Sequence, residues 1–281
     1  MPLTIDAKTK LFAIFADPVE HSASPAIYNA AFERLELNCC YMAFPVNLDK
    51  LPAAMESVRA LGILGGNFSM PCKKAAKEYM DTLSPAAEMV GVVNTFFVRG
   101  GVLEGHCTDG VGFFDYLRSR GVGIAGKQLL LAGIGGVGLA IAAQAALDGA
   151  RKIVIFNRKD AFWQDGEELV ERIRATGVEV SLQDLGDTER LADEIKRADI
   201  LTNATNVGMG QLEGQSLILP ELLYPGLVVV DCIYSPARTR LLRDAEAAGC
   251  QIMNGDGMLL RQAATNFGIW TGQQLPASLM R

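Results

Sequence analysis

The run Gly133-Ile-Gly135-Gly136-Val-Gly138 directly follows four apolar residues, Leu129-Leu130-Leu131-Ala132, and opens the apolar stretch Leu139 to Leu147. Glycines at these places between a strand and a helix satisfy the backbone demands of a dinucleotide turn. The first permits the tight turn, the next lets backbone approach a pyrophosphate, and the last lets the helix pack on the strand with its N-terminus facing the anion. A glycine-rich helix start also serves packing alone, but the strand before it and the second strand after it favour cofactor binding. The run also accounts for Leu129 to Leu147, which is apolar and long enough to suggest a membrane span when read in isolation.

Around this unit the hydrophobic period gives an α/β chain in two parts. Downstream, strands are expected at 128–132, 152–156, 179–182, 200–203 and 227–232, with helices between them at 138–147 and 189–197, which is a doubly wound sheet. Upstream, strands at 11–15, 40–46 and 63–69 alternate with helices at 24–35, 51–61 and 72–80, which predicts a mainly parallel sheet. At the start of the first of these helices Ser24 reads as an N-cap before Pro25. A short helix at 85–90 then precedes a hairpin of 92–98 and 102–106 around Gly100-Gly101. The 281 residues suit two domains at about 150 residues each. The first is expected to span 1–110 and the second 111–256, and a last amphipathic helix within 257–281 has no sheet partner and could return to the first.

Composition narrows the function. Lys plus Arg number 26 against 32 Asp plus Glu, a net charge of −6 with no long block of one sign, which argues against nucleic acid and against an electrostatically held membrane partner. The six cysteines, Cys39, Cys40, Cys72, Cys107, Cys232 and Cys250, form no C-x-x-C pair, and two histidines are too few for a His-rich metal site. No metal is expected, and the thiols read as reduced in a cytoplasmic protein. The N-terminal run lacks the apolar core of a signal peptide, so the sequons at Asn67 and Asn203 are expected to serve something other than glycans.

Three polar knots stand out in the first part: His21-Ser22-Ala-Ser24-Pro25, Asn67-Phe-Ser69-Met-Pro71-Cys-Lys73 and Thr108-Asp109-Gly110. Each falls where a strand or hairpin ends, the rim at which α/β sheets bind ligands. Ser22 and Ser24 at a helix start offer a receptor for a carboxylate, although a cap alone would explain Ser24. Lys73 with Asp109 could donate a proton to a developing alkoxide, whereas spacing equally allows Lys73 and Lys74 to be a solvated helix face. In the second part, Asn157-Arg158-Lys159-Asp160 ends the second strand; its cations suit a 2′-phosphate and Asp160 suits an unphosphorylated ribose, so NAD and NADP both remain open.

Taken in order, the segments HSASP, NFSMPCK, VVNT, CTDGVG, GIGGVG, NRKD, NAT and GMLLRQAA resemble the shikimate dehydrogenase family over essentially the entire chain, and most of all its quinate/shikimate dehydrogenase branch. The resemblance implies reversible oxidation of the carbon-three hydroxyl of shikimate or quinate by NAD or NADP. It implies that Ser22 and Ser24 hold the substrate carboxylate, with Tyr234 near it, while Asn67, Ser69, Asn94 and Gln262 bond hydroxyls. Lys73 and Asp109 become the catalytic pair. Gly133, Ile134, Gly135, Gly136, Val137, Gly138, Asn157, Arg158, Lys159, Asp160, Thr205, Cys232 and Gly255 line the dinucleotide, and Met258 lies near the nicotinamide. The chain departs from the family at Cys107, where many relatives have Asn, at Ser69, where threonine is usual, and at Asn206, where a lysine can occur. Two alternatives accompany this reading: the same chemistry on an aminoshikimate-like acid, and a non-catalytic cyclitol-carboxylate sensor. The expected partner is a small molecule, and a homodimer is compatible with the sequence.

Overall fold

The computed structural model describes residues 5–279. They fall into two compact units, one reaching Thr108 and resuming at Arg261, the other running from Asp109 to Leu260.

The first unit contains β1 (Lys10–Ala16), α1 (Ser24–Arg34), β2 (Cys39–Pro45), α2 (Leu51–Ala60), β3 (Gly65–Phe68), β4 (Thr82–Leu83), α3 (Pro85–Val90), β5 (Thr95–Arg99) and β6 (Val102–His106). Its six-stranded sheet has the order β2-β1-β3-β5-β6-β4. The β1–β2, β1–β3 and β4–β6 pairs are parallel, while β3–β5 and β5–β6 are antiparallel. The β5–β6 hairpin turns through Gly100 and Gly101, both with positive φ, as a two-residue turn matched to the strand twist requires. At the centre, β3 starts with Gly65-Gly66, where a Cβ on Gly66 would lie 1.9 Å from the Ala13 carbonyl oxygen. The absence of those side chains lets the neighbouring strand close in. A buried aromatic group including Phe12, Tyr28, Phe32, Tyr41, Phe267 and Trp270 covers the sheet.

Two local expectations are corrected. Ser24 is the first residue of α1; Ala23 occupies the N-cap position and no side chain caps the helix, because the Ser22 hydroxyl instead accepts the Ser24 N–H at 3.3 Å. The segment expected as a helix at 72–80 forms turns and a 3₁₀ helix at Ala75–Tyr79. The Lys73 carbonyl there accepts the Val93 N–H at 2.9 Å, which diverts it from a regular helical ladder.

The second unit contains α4 (Asp109–Ser119), β7 (Gln128–Ala132), α5 (Gly136–Leu147), β8 (Lys152–Asn157), α6 (Trp163–Arg174), β9 (Glu179–Asp184), α7 (Thr188–Ile195), β10 (Ile200–Asn203), β11 (Val228–Asp231), α8 (Arg240–Ala247) and β12 (Gln251–Met253). The final helix α9 (Asp256–Thr271) begins in this unit and continues past Arg261 in the first, where Ala263, Phe267 and Trp270 join the aromatic group. All pairs in the sheet are parallel, in the order β12-β11-β10-β7-β8-β9. The order reverses between β7 and β10, the switch point at which such sheets open a ligand crevice. The short edge strand β12 was not anticipated from sequence: three residues carry too little period to be seen.

Candidate active site

In the first unit, strand direction brings the polar knots to one rim. Parallel β1 and β3 end there, antiparallel β5 begins there, and β6 ends there, with Ile14 beside Asn67, Asn67 beside Thr95, and Thr95 beside His106. Asn67 closes its own strand by donating from Nδ2 to the Asn94 carbonyl at 3.1 Å, and its Oδ1 accepts the Tyr41 hydroxyl at 2.7 Å. Burial pushes the Tyr41 phenol well above its ordinary value, charge repulsion from the Tyr28 phenol adds to the shift, and hydrogen bonds to Ser24 and Asn67 oppose it. The Asn94 side chain is 1% exposed, and its Oδ1 accepts the Thr108 N–H at 2.9 Å. Ser69 lies in the turn after β3, where its carbonyl accepts the Cys72 N–H at 2.8 Å. Of the paired lysines, Lys73 is half-buried and Lys74 is exposed, so the two do not share one solvated face. Gln262 is half-buried on α9. The buried Asn67 and Asn203 amides are both bonded within the protein, which removes them as glycan acceptors.

In the second unit, Asp109 opens α4 and is buried. A cavity of about 340 Å³ lies at the carboxyl ends of β7, β8 and β10, walled by Gly133, Gly135, Asn157, Arg158, Asp160, Phe162, Leu185, Ala204, Thr205, Asn206, Val207 and Leu217. Gly133 has φ +100° and donates its N–H to the Phe156 carbonyl at 2.8 Å; a Cβ on Gly138 would sit 2.1 Å from the Gly133 oxygen. Gly135 and Gly136 have open space where a Cβ would be. The turn is thus pinned on its inner side and bare on its outer side, which fits a pyrophosphate held by backbone amides at the start of α5. Asn157 braces it, its Oδ1 accepting the Ile134 N–H at 3.2 Å.

The Ile134 side chain is fully buried, so backbone is what it offers a ligand. The two cations at the end of β8 separate: Arg158 lines the cavity, while the Lys159 ammonium lies 3.8 Å from Asp184 and 5.8 Å from the Trp163 ring centre. Asp160 accepts from Asn157 Nδ2 at 3.1 Å and from the Phe162 N–H at 3.0 Å. The Thr205 hydroxyl donates to Asn203 Oδ1 at 2.7 Å, which holds it against the turn. Phe162, Leu185 and Leu217 enter the wall from loops, and no periodic or motif signal marks them. Val137 is half-buried at the start of α5. Cys232, Gly255 and Met258 do not line this cavity. A Cβ on Gly255 would lie 2.1 Å from the Cys232 carbonyl, and burial raises the Cys232 thiol. Tyr234 is exposed and Met258 half-buried.

All six cysteines are free thiols. Among the described residues no group of His, Cys, Asp or Glu is placed to hold a metal, and no helix is long and apolar enough to cross a membrane.

The chain is 44% identical over 279 residues to the shikimate dehydrogenase (NADP(+)) of Listeria monocytogenes, covering 99% of this chain and 96% of that one. It belongs to the shikimate dehydrogenase family. Residues 14–96 match the shikimate dehydrogenase substrate binding domain, and residues 126–204 match the KR domain. Another shikimate dehydrogenase relative, the quinate/shikimate dehydrogenase of Escherichia coli, is 42% identical over 281 residues, covering 99% of this chain and 98% of the relative. The crystal structure of shikimate 5-dehydrogenase from Listeria monocytogenes in complex with shikimate and NAD superposes with a TM-score of 0.96 at 45% identity, covering 98% of this chain and 96% of that one. The two units therefore correspond to the substrate domain and Rossmann-like dinucleotide domain of shikimate dehydrogenases.

Proposed function

We propose that the protein is an NAD(P)-dependent dehydrogenase that reversibly oxidises shikimate, and quinate, to the 3-dehydro ketone. What supports this reading is that the segments carrying Ser22, Ser24 and Lys73 follow the ends of β1 and β3, at the rim where the buried Asn67 lies near the end of β3, in a chain whose other unit has a bare-backbone dinucleotide turn. Residues 1–110 with 257–281 serve the substrate, and 111–256 serve the dinucleotide. Ser22 and Ser24 donate to the substrate carboxylate, and Tyr234 is the further residue assigned to it. Asn67, Ser69, Asn94 and Gln262 bond ring hydroxyls and orient the reacting carbon.

The dinucleotide, when bound, accepts or returns the hydride. Gly133, Gly135, Gly136 and Gly138 leave the space for its pyrophosphate, with Ile134 and Val137 supplying backbone between them. Asn157, Arg158, Asp160 and Thr205 border the cavity, and Cys232 and Gly255, outside it, are assigned to the remainder of the dinucleotide, with Met258 near the nicotinamide. In oxidation Lys73 takes the proton from the substrate hydroxyl and Asp109 steadies the resulting ammonium; in reduction the same ammonium returns it to the alkoxide oxygen. With Arg158 and Asp160 both on the cavity wall, both cofactor forms are accommodated, Arg158 serving the 2′-phosphate and Asp160 the free ribose. A cytoplasmic site of action, with neither nucleic acid nor membrane as partner, agrees with the charge of −6 and the free thiols.

Initial rates of nicotinamide reduction with shikimate and with quinate, each with NAD⁺ and NADP⁺, test the proposal. Turnover of shikimate with at least one cofactor is expected. No reduced nicotinamide in any combination, alongside clear shikimate binding, would replace it with a non-catalytic acid-binding role.

A further inference from the structure

The second unit carries a buried carboxylate to which the proposed reaction gives no role. Asp231 ends β11, is fully buried, and pairs in register with Asn203, the last residue of β10. Three donors converge on it: Oδ1 accepts Asn203 Nδ2 at 3.0 Å and the Ile233 N–H at 3.1 Å, and Oδ2 accepts the Thr239 hydroxyl at 2.7 Å. Burial pushes this carboxyl above its ordinary value, and the same three bonds oppose the shift. Neither Asp231 nor Asn203 lines the dinucleotide cavity, yet the residues that follow Asn203, from Ala204 to Val207, all stand in its wall.

The Asn203 side chain joins carboxylate to wall. Its Oδ1 accepts the Thr205 hydroxyl at 2.7 Å and the Thr205 N–H at 3.1 Å, and its Nδ2 donates to the Val207 carbonyl at 3.1 Å as well as to Asp231. The Thr205 hydroxyl in turn accepts the Val207 N–H at 3.1 Å. A backbone N–H only donates and a backbone carbonyl only accepts, so the amide has one orientation, and both of its protons and both of its lone pairs are engaged. The bonds to Thr205 and Val207 close the wall segment on itself, while the bond to Asp231 fastens the amide to the neighbouring strand. Thr205 then stands against the glycine turn, where a Cβ on Gly133 would lie 2.7 Å from its Cγ2. The segment leaves the wall at Gly208, where a Cβ would lie 3.3 Å from Ile233 and 3.4 Å from Thr239, the other two donors to Asp231.

We propose that Asp231, acting through Asn203, is a positioning residue for the dinucleotide, holding the wall from Ala204 to Val207 against the glycine turn in the arrangement that the cofactor binds. This rests on the reading that the cavity holds the dinucleotide. Without the carboxylate, one amide proton of Asn203 and the Ile233 N–H are left buried with no acceptor. The amide can find another partner for that proton only by turning, and it cannot turn without releasing Thr205 and Val207. The Asn203-Ala-Thr205 sequence, which has the form of a glycan acceptor, thus serves as the link between a buried acid and a ligand wall.

The test is calorimetric titration of NAD⁺ and of NADP⁺ into the wild-type chain, Asp231→Ala, Thr205→Val and the double variant. Asp231→Ala is expected to weaken dinucleotide binding about tenfold. Thr205→Val keeps the bulk of the wall but releases Asn203 Oδ1, and should cost a similar factor. In the double variant the two losses should not multiply: about tenfold in all, rather than about a hundredfold, because both changes break one chain of bonds. Thr239→Val removes the donor to Oδ2 and the cap of α8, where the Thr239 hydroxyl accepts the Leu242 N–H at 3.3 Å, but leaves Asn203 held. It should lower the urea midpoint and keep dinucleotide affinity, which separates position from stability. Where Asp231→Ala folds poorly, Asn203→Ala, which leaves two donors on Asp231, carries the same cycle with Thr205→Val. Unchanged dinucleotide affinity in the Asp231 or Asn203 variant, losses that multiply in the double variant, or an equal loss in Thr239→Val would overturn the role. A wild-type chain that binds neither dinucleotide would instead remove the reading on which the role rests.

Discussion

The two units bury their cores by different means. The first packs rings: Phe12 lies 5.3 Å from Phe32 and 5.4 Å from Trp270, and Tyr28 lies 4.7 Å from Trp270, over a sheet of mixed direction. The second packs aliphatic side chains of parallel strands, with Leu130, Val154, Leu201 and Val229 fully buried. Their ligand edges differ in the same way. The first places side-chain amides and hydroxyls held by one another, whereas the second places almost naked backbone at a glycine turn. A change of functional group should therefore damage the first edge, and an added atom should damage the second.

Lys73→Ala offers the largest separation of the two. Turnover should fall about 10²- to 10⁴-fold while dinucleotide affinity stays near that of the wild-type chain; near-normal turnover would end the proton-transfer role assigned to Lys73. Trp270→Ala comes next. It removes a ring packed on Phe12, Tyr28 and Tyr41, together with an indole N–H donated to the Phe96 carbonyl at 3.0 Å, so chemical unfolding should show a loss of about 3–5 kcal/mol. Dinucleotide affinity retained in the folded variant would sharpen the division between the units, and a parallel loss would break it.

Gly138→Ala is the reciprocal experiment. A Cβ 2.1 Å from the Gly133 oxygen forces the turn apart, at a cost of about 1–3 kcal/mol, with dinucleotide titration expected to weaken while shikimate binding is kept. His106→Gln should have the smallest effect. Burial holds His106 below its ordinary value of 6.5, against the opposing pull of Glu104. The unfolded chain takes up a proton below about pH 6.5 before the folded chain does, so stability falls as pH drops through that window. Comparing urea midpoints near pH 7.5 and near pH 5.5 should show a shallower acid-side loss in the variant; an unchanged slope would exclude His106 as a contributor.

Much of the fold was legible before any coordinates. The alternation of apolar runs located most strands, because an inward-facing strand of a parallel sheet is a continuous hydrophobic segment. The dinucleotide turn was legible residue by residue, since Gly133 at positive φ and Gly138 against its carbonyl are constraints that only glycine meets. The first unit was less transparent. Serine beside proline at a helix start looks like a cap in any protein, and here the Ser24 position and the Ser22 bond to its N–H exclude that role. Lys73 and Lys74 are equivalent in sequence, and only folding makes one half-buried and the other exposed.

The chain by itself determined the α/β class, the order of its two parts and the conformation of the glycine turn, because these follow from steric limits and hydrophobic period acting over a few neighbouring residues. Tertiary structure alone decided which polar atoms meet. Thr108 and Asn266 are 158 positions apart and Tyr41 and Asn67 are 26 apart, so no local pattern encodes their pairing. The direction of each hydrogen bond is set by backbone donors and acceptors that the completed sheet brings within reach.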